Sequence, residues 1–174
     1  MSMRFIVLIM LLLFLVEGTI VPWLVPDGFA GRLVPHFTFV MVLYAALYHS
    51  RHSALLLGFG FGMLQDVVYY GHLIGVHAFT MGLIGYAVGI MLERKRSTLF
   101  MALAMIGFAD LFYEVLVFYV YKVFRITNET FAWAMYDHIL PSLFLQQAFA
   151  LAVYIPARRW FSEASRNRLD KDRD

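Results

Sequence analysis

Six long apolar runs, with almost every charge confined between them, constrain this chain more than any motif does. An α-helix rises 1.5 Å per residue, so about 20 apolar residues cross a hydrocarbon core about 30 Å thick. The runs predict spans at residues 4–24, 34–49, 53–71, 73–92, 98–122 and 132–156. The second is short, and a short span is accommodated by tilting little or by thinning the bilayer around it. Only 15% of the 174 residues are charged and 61% are hydrophobic, where a soluble domain carries about 25% charged residues. The expected fold class is all-α: a polytopic membrane protein whose six transmembrane helices fill residues 1–156, with a short polar tail at 157–174. The first run, after Arg4, exceeds the roughly 7–15 apolar residues of a signal peptide and lacks a small-residue cleavage site, so it reads as a retained helix.

Lys and Arg set the expected orientation. Six spans put Arg4, Arg51, Arg94, Lys95, Arg96 and the six basic residues of the tail on one side, eleven in all. Arg32, Lys122 and Arg125 fall on the other. The positive-inside rule then places both termini in the cytoplasm. Trp23, Tyr48, Tyr69, Tyr70, Trp133 and Trp160 fall near the span ends, where amphipathic rings are favoured. In the tail, Arg158 and Arg159 with Trp160 and Phe161 are either a contact for anionic lipid or an ordinary flank of the last span.

Several function classes are disfavoured. A net charge of +2, held at the span ends, provides no basic stripe for nucleic acid. Without cysteine there is no disulfide, thiol nucleophile or Cys-based metal site. The histidines, at positions 36, 49, 52, 72, 77 and 138, are scattered, and no HExxH or GxSxG spacing occurs. No connection is long enough to hold a soluble catalytic domain. Neither an enzyme nor a metal or cofactor is expected.

Glycines recur at small-xxx-small spacing: Gly58 and Gly62, Gly71 and Gly75, Gly85 and Gly89. Such stripes let helix backbones approach closely in lipid, where burial of apolar surface does not drive association. They serve either a partner's helix or packing within this chain. The stretch "GFGFGMLQDVVYYG", residues 58–71, combines such a stripe with Gln65 and Asp66. An ionisable side chain near a helix centre costs about 2.5–3.5 kcal/mol on insertion scales, so each one asks for a reason. Following each span from side to side puts Glu17, Gln65, Asp66, His77, Asp110, Glu114 and His138 at mid-depth or in the outer half. Gln146 and Gln147 fall in the inner half. Asp110 and Glu114 share a face, being one turn apart. The outer set is read either as a polar site or as interhelical hydrogen bonding alone.

Residues 58–89, "GFGFGMLQDVVYYGHLIGVHAFTMGLIGYAVG", resemble the central segment of the MreD family of bacterial rod shape-determining membrane proteins. The resemblance rests on Gly60–Phe61, on "GMLQD" ending at Asp66, on "LIG" ending at Gly75, and on Ala78 with the glycines after it. Pro35, opening a short second span, also fits. Many members carry Glu where this chain has Gln65, so Asp66 is the one ionisable group of that pair. The resemblance implies a non-enzymatic part of the cell-elongation and peptidoglycan-synthesis machinery in the bacterial cytoplasmic membrane. Its implied partners are an MreC-like bitopic protein, RodA, a penicillin-binding transpeptidase and MreB. The family is also similar in architecture to the substrate-binding subunits of energy-coupling-factor transporters, which implies an alternative: a small-solute (vitamin-like) binding subunit. The first span, "FIVLIMLLLFLVEG", lacks the alanine stripe through which such subunits meet their energising partner.

Overall fold

The computed structural model describes residues 3–19, 35–70, 73–92 and 98–171. Expectations placed on Trp23, Arg32, Gly71, Arg94, Lys95 and Arg96 lie outside these residues. Among the described residues the chain is all-helical, with six helices. They are α1 (Met3–Thr19), α2 (Phe37–Tyr48), α3 (Arg51–Gln65, widening into a π-helical turn at Asp66–Tyr70), α4 (Val76–Leu92), α5 (Leu99–Val123) and α6. The last begins at Phe131–Ala134, passes through a π turn at Met135–Ile139 and continues as Leu140–Lys171. Pro141 cannot donate to the carbonyl four residues back, and the helix widens immediately before it, the usual local answer to a missing ladder bond.

Local sequence sets several boundaries. Ser50 sits extended between α2 and α3, and its hydroxyl accepts from the Ser53 amide at 3.2 Å, an ordinary N-cap. Thr98 does the same for Met101 at the start of α5. At the start of α2 the His36 side chain makes no capping bond, and α4 follows Gly75, which has no side chain to cap with, a point the functional site explains.

Two segments, Leu99–Val123 and Phe131–Arg166, are long and apolar enough to cross a membrane unaided, while Phe37–Tyr48 and Val76–Leu92 are shorter apolar helices. The distribution of side chains inverts that of a soluble protein. Leu56, Phe79, Phe100, Phe108, Phe144 and Ile155 are 66–83% exposed, whereas Glu17, His36, Gln65, Asp66, His77, Asp110 and Gln146 are buried. An apolar exterior around a mainly apolar interior that also holds buried polar groups is stable where the solvent is hydrocarbon.

The short α2 is the axis of the bundle. Every residue from Thr38 to Leu47 is buried, among α1, α3, α4, α5 and α6. At 12 residues it is about 18 Å long. Because protein surrounds it on all sides, its length is matched to its neighbours, and the local bilayer thinning expected for an exposed short span does not arise. Tyr44 ties it to α6 by donating to the Ala150 carbonyl at 2.7 Å. The expected boundary at residue 156 is also not a helix end. The helix α6 runs on through Pro156 to Lys171, with Ala157 and Phe161 buried. Phe161 thus packs inside and is not available to lipid.

The helices α3 and α4 lie antiparallel with Gly58, Gly62, Gly85 and Gly89 turned inward. A Cβ on Gly58 would stand 2.8 Å from the Met81–Gly82 backbone, and one on Gly62 would stand 2.5 Å from the Ala78 Cα. Gly89 meets the Arg51 side chain and backbone, and Gly85 packs on Val42 of α2 and Ala54 of α3. These four glycines therefore face helices of this chain. Gly60, between the two contact positions of α3, has open space within 4 Å of where a Cβ would stand. Gly62→Leu should accordingly lower stability by about 1–3 kcal/mol or more, the range for overpacking, and Gly60→Ala should not. Thermal unfolding of the detergent-purified variants, read side by side, tests the contrast.

Candidate functional site

The helix N-terminus is the starting point for the site. Its first N–H groups lack intrahelical partners, and at membrane depth water cannot serve them. The helices α2 and α4 begin inside the bundle, and each has its N-terminal amides served by an acid from another helix. Glu17, near the end of α1, accepts from the Thr38 amide at 3.1 Å and from the Thr38 hydroxyl at 3.0 Å through one oxygen. Its other oxygen accepts from the Gln65 amide nitrogen at 2.9 Å.

Asp66, at the junction of the α and π parts of α3, serves α4 in the same way. One oxygen accepts from the backbone of Gly75 at 2.9 Å and of Ala78 at 3.1 Å. The other accepts from the His77 amide at 3.2 Å and lies 2.8 Å from the His77 ring Nδ1. Gly75 has φ +101°, a left-handed conformation open to glycine, which turns its N–H onto the carboxylate. A hydrogen bond to a charged group is worth about 1.5–3 kcal/mol, and the positive helix end adds up to about 2. Three backbone donors at a helix terminus therefore exceed the 2.5–3.5 kcal/mol insertion cost of the aspartate.

His36, at the start of α2, links this arrangement to α5. Its Nδ1 lies 3.8 Å from Glu17 and its Nε2 lies 3.5 Å from Glu114. Its ring packs edge-on against Tyr113 with centroids 5.1 Å apart. Gln146 of α6 donates to Glu114 at 3.4 Å. Glu17, Thr38, Gln65, His36, Glu114 and Gln146 thus form a connected series through α1, α2, α3, α5 and α6, beside the Asp66–His77 cap of α4.

Of the residues singled out from sequence, Glu17, Gln65 and Glu114 stand in the connected series, and Asp66 and His77 form the neighbouring cap. Asp110 is fully buried on the face of Glu114, yet its carboxyl oxygens have no hydrogen-bond partner among the described residues. His138 stands apart, partly exposed, 3.5 Å from both Glu129 and Asp137 and edge-on to Trp133. Gln146, expected in the inner half, joins the cluster through its hydrogen bond to Glu114. Gln147 bonds elsewhere, to the Leu103 carbonyl at 3.3 Å. Sequence reasoning missed His36 and Thr38. The available signal was Pro35: a proline-opened helix with no capping side chain of its own requires an acceptor from elsewhere.

Among the described residues, two openings in the surface bear on the site. A groove of about 550 Å³ between α4 and α5, lined by Leu83, Ala87, Met91, Phe108 and Phe112 among others, offers no polar surface. A smaller cleft of about 180 Å³ between α5 and α6 is bordered by Glu114, Tyr121, Glu129 and His138.

The capping geometry predicts graded losses. Asp66→Ala strands three backbone donors and an imidazole, so it should destabilise by about 2–4 kcal/mol, more than the ~1 kcal/mol of a single N-cap. Asp66→Asn keeps an acceptor oxygen and should fall between. Detergent melting curves of the three proteins give the order. Gln65→Glu should also destabilise, because it replaces a donor to Glu17 with a second carboxyl, and the same assay reads it.

The chain matches the family described as rod shape-determining protein MreD over residues 1–163. The rod shape-determining protein MreD of Bacillus subtilis (strain 168) is 24% identical over 139 residues, 80% of this chain and 80% of that one. No solved structure matches the chain. The family match takes in α1 to α5, most of α6 and every residue of the polar cluster, and the chain belongs to the MreD family of rod shape-determining proteins.

Proposed function

We propose that this rod shape-determining protein is a non-enzymatic membrane scaffold of the cell-elongation complex. It binds the transmembrane helix of an MreC-like bitopic protein and helps to organise RodA, a penicillin-binding transpeptidase and MreB around peptidoglycan synthesis. It lies in the bacterial cytoplasmic membrane with both termini in the cytoplasm, as the eleven-to-three division of Lys and Arg favours.

The observation that carries this reading is how the interior polar groups are used. Glu17, Thr38, Gln65, Asp66, His77, Glu114 and Gln146 spend hydrogen bonds on one another and on helix ends. These bonds join α1 to α2 and α3, α3 to α4, and α5 to α6, an internal bracing that suits a scaffold. A solute-binding subunit needs convergent polar groups left available in a cavity of ligand size. Here the larger groove is wholly apolar. With α3 and α4 glycines turned toward this chain's own helices, the partner surface is assigned to the exposed apolar faces.

Affinity purification of the tagged full chain from native membranes tests the reading. Co-purification of a bitopic MreC-like protein with wall-synthesis enzymes is the expected result. Recovery of transporter ATPases in their place would overturn it.

A further inference from the structure

Beyond Pro156, α6 presents two unlike faces. Ala157, Phe161 and Ala164 are buried against the bundle, while Arg158, Arg159, Ser162 and Arg166 are exposed. Arg158, Ser162 and Arg166 stand four apart and so share one face, which Arg159 borders. The acid among residues 157–166 is Glu163, which already has an interaction within the chain. Among the described residues, no carboxylate pairs with any of the three arginines. Arg158 is nevertheless held in place. Its Nη1 donates to the Tyr154 hydroxyl at 3.2 Å. Its guanidinium carbon lies 6.0 Å from the ring centroids of both Tyr154 and Tyr48, the residue that ends α2. A guanidinium has five N–H donors, so a fixed and mostly unspent fork stands at this end of the bundle.

We propose that this arginine face binds the phosphate of an anionic phospholipid headgroup, with Arg158 as the anchor. A planar guanidinium meets phosphate oxygens two at a time, and one already pinned on two rings loses little freedom in doing so. Depth selects a lipid over an acidic protein segment. Ile155, 76% exposed on the lipid-facing side of α6, lies three residues before Arg158, about 4.5 Å along the helix. The guanidinium therefore stands at the edge of the hydrocarbon layer, where headgroup phosphates are the neighbouring anions. Charge selects among lipids. Three arginines without a paired acid favour a headgroup whose phosphate is not offset by an amine of its own. The inference does not rest on the scaffold reading; in the orientation proposed above, the headgroup belongs to the cytoplasmic leaflet.

Native mass spectrometry of the full chain, released from nanodiscs of equal phosphatidylglycerol and phosphatidylcholine, counts the lipids retained. Phosphatidylglycerol should be kept over phosphatidylcholine, and Arg158→Gln should cut that preference about tenfold. Arg158→Lys, which keeps the charge without the fork, should fall between. Melting in phosphatidylcholine alone reports whether Arg158→Gln keeps its fold. Should it not, Arg159→Gln, an exposed position, carries the test with a smaller loss of preference. Arg125→Gln, at the opposite end of the bundle, should leave the preference unchanged. Equal retention of the two lipids by the unaltered chain, an unchanged preference in folded Arg158→Gln, or an equal loss in Arg125→Gln would overturn the proposal. So would displacement of the lipid by millimolar inorganic phosphate or by a polyglutamate peptide, since the face would then take a free anion or an acidic segment.

Discussion

The structure depends on unpaired backbone amides at helix starts. In water such groups are a minor matter, since solvent serves them. In hydrocarbon each unserved donor costs several kcal/mol, and a helix that starts below the surface exposes several at once. Among the described residues, the starts of α2 and α4 are each served by a carboxylate from another helix: Glu17 for α2 and Asp66 for α4. The acids that looked costly in the sequence are therefore the condition for having short helices at all. Each also fixes the relative height and rotation of the two helices it joins, because the carboxylate reaches particular amides.

Close packing follows from the same geometry. For Asp66 to reach the Gly75, His77 and Ala78 amides, α3 and α4 must run nearly in contact at that end. Gly58 and Gly62 allow this by removing side chains from the seam, and Gly89 continues it to Arg51 at the opposite end. The Cβ-free stripe and the capping acid are thus two parts of one helical hairpin. Tyr69 shows the same economy against α1: its hydroxyl reaches the Phe14 carbonyl, and its ring fills the space beside Gly18.

Much of this was legible in the residues. Apolar run length identified six helices, and the alternation of spans put Glu17, Gln65, Asp66, His77 and Glu114 near one end of the bundle. What stayed hidden has physical causes. Hydropathy cannot distinguish a helix bathed in lipid from one enclosed by protein, since both are apolar all round, so α2 read as a short exposed span. A π turn has no composition of its own, so the widening before Pro141 could not be anticipated, and neither could the Gln146 bond to Glu114 across α5 and α6. His36 gave no periodic signal because its role is set by Pro35 and by α5, far away in sequence. The polar tail read as a separate segment because charge marks the membrane boundary and not the end of a helix, and α6 simply continues past it.

The enclosure of α2 has a consequence for how the protein is made. A span that faces lipid can enter the bilayer alone and find its neighbours afterwards, because the membrane is already a good solvent for it. The helix α2 has no side that faces lipid, is too short to reach both surfaces, and relies on α1 for its first amide partner. Its arrival is therefore a folding step and not an insertion step, and the bundle's centre closes only after the helices around it have been delivered.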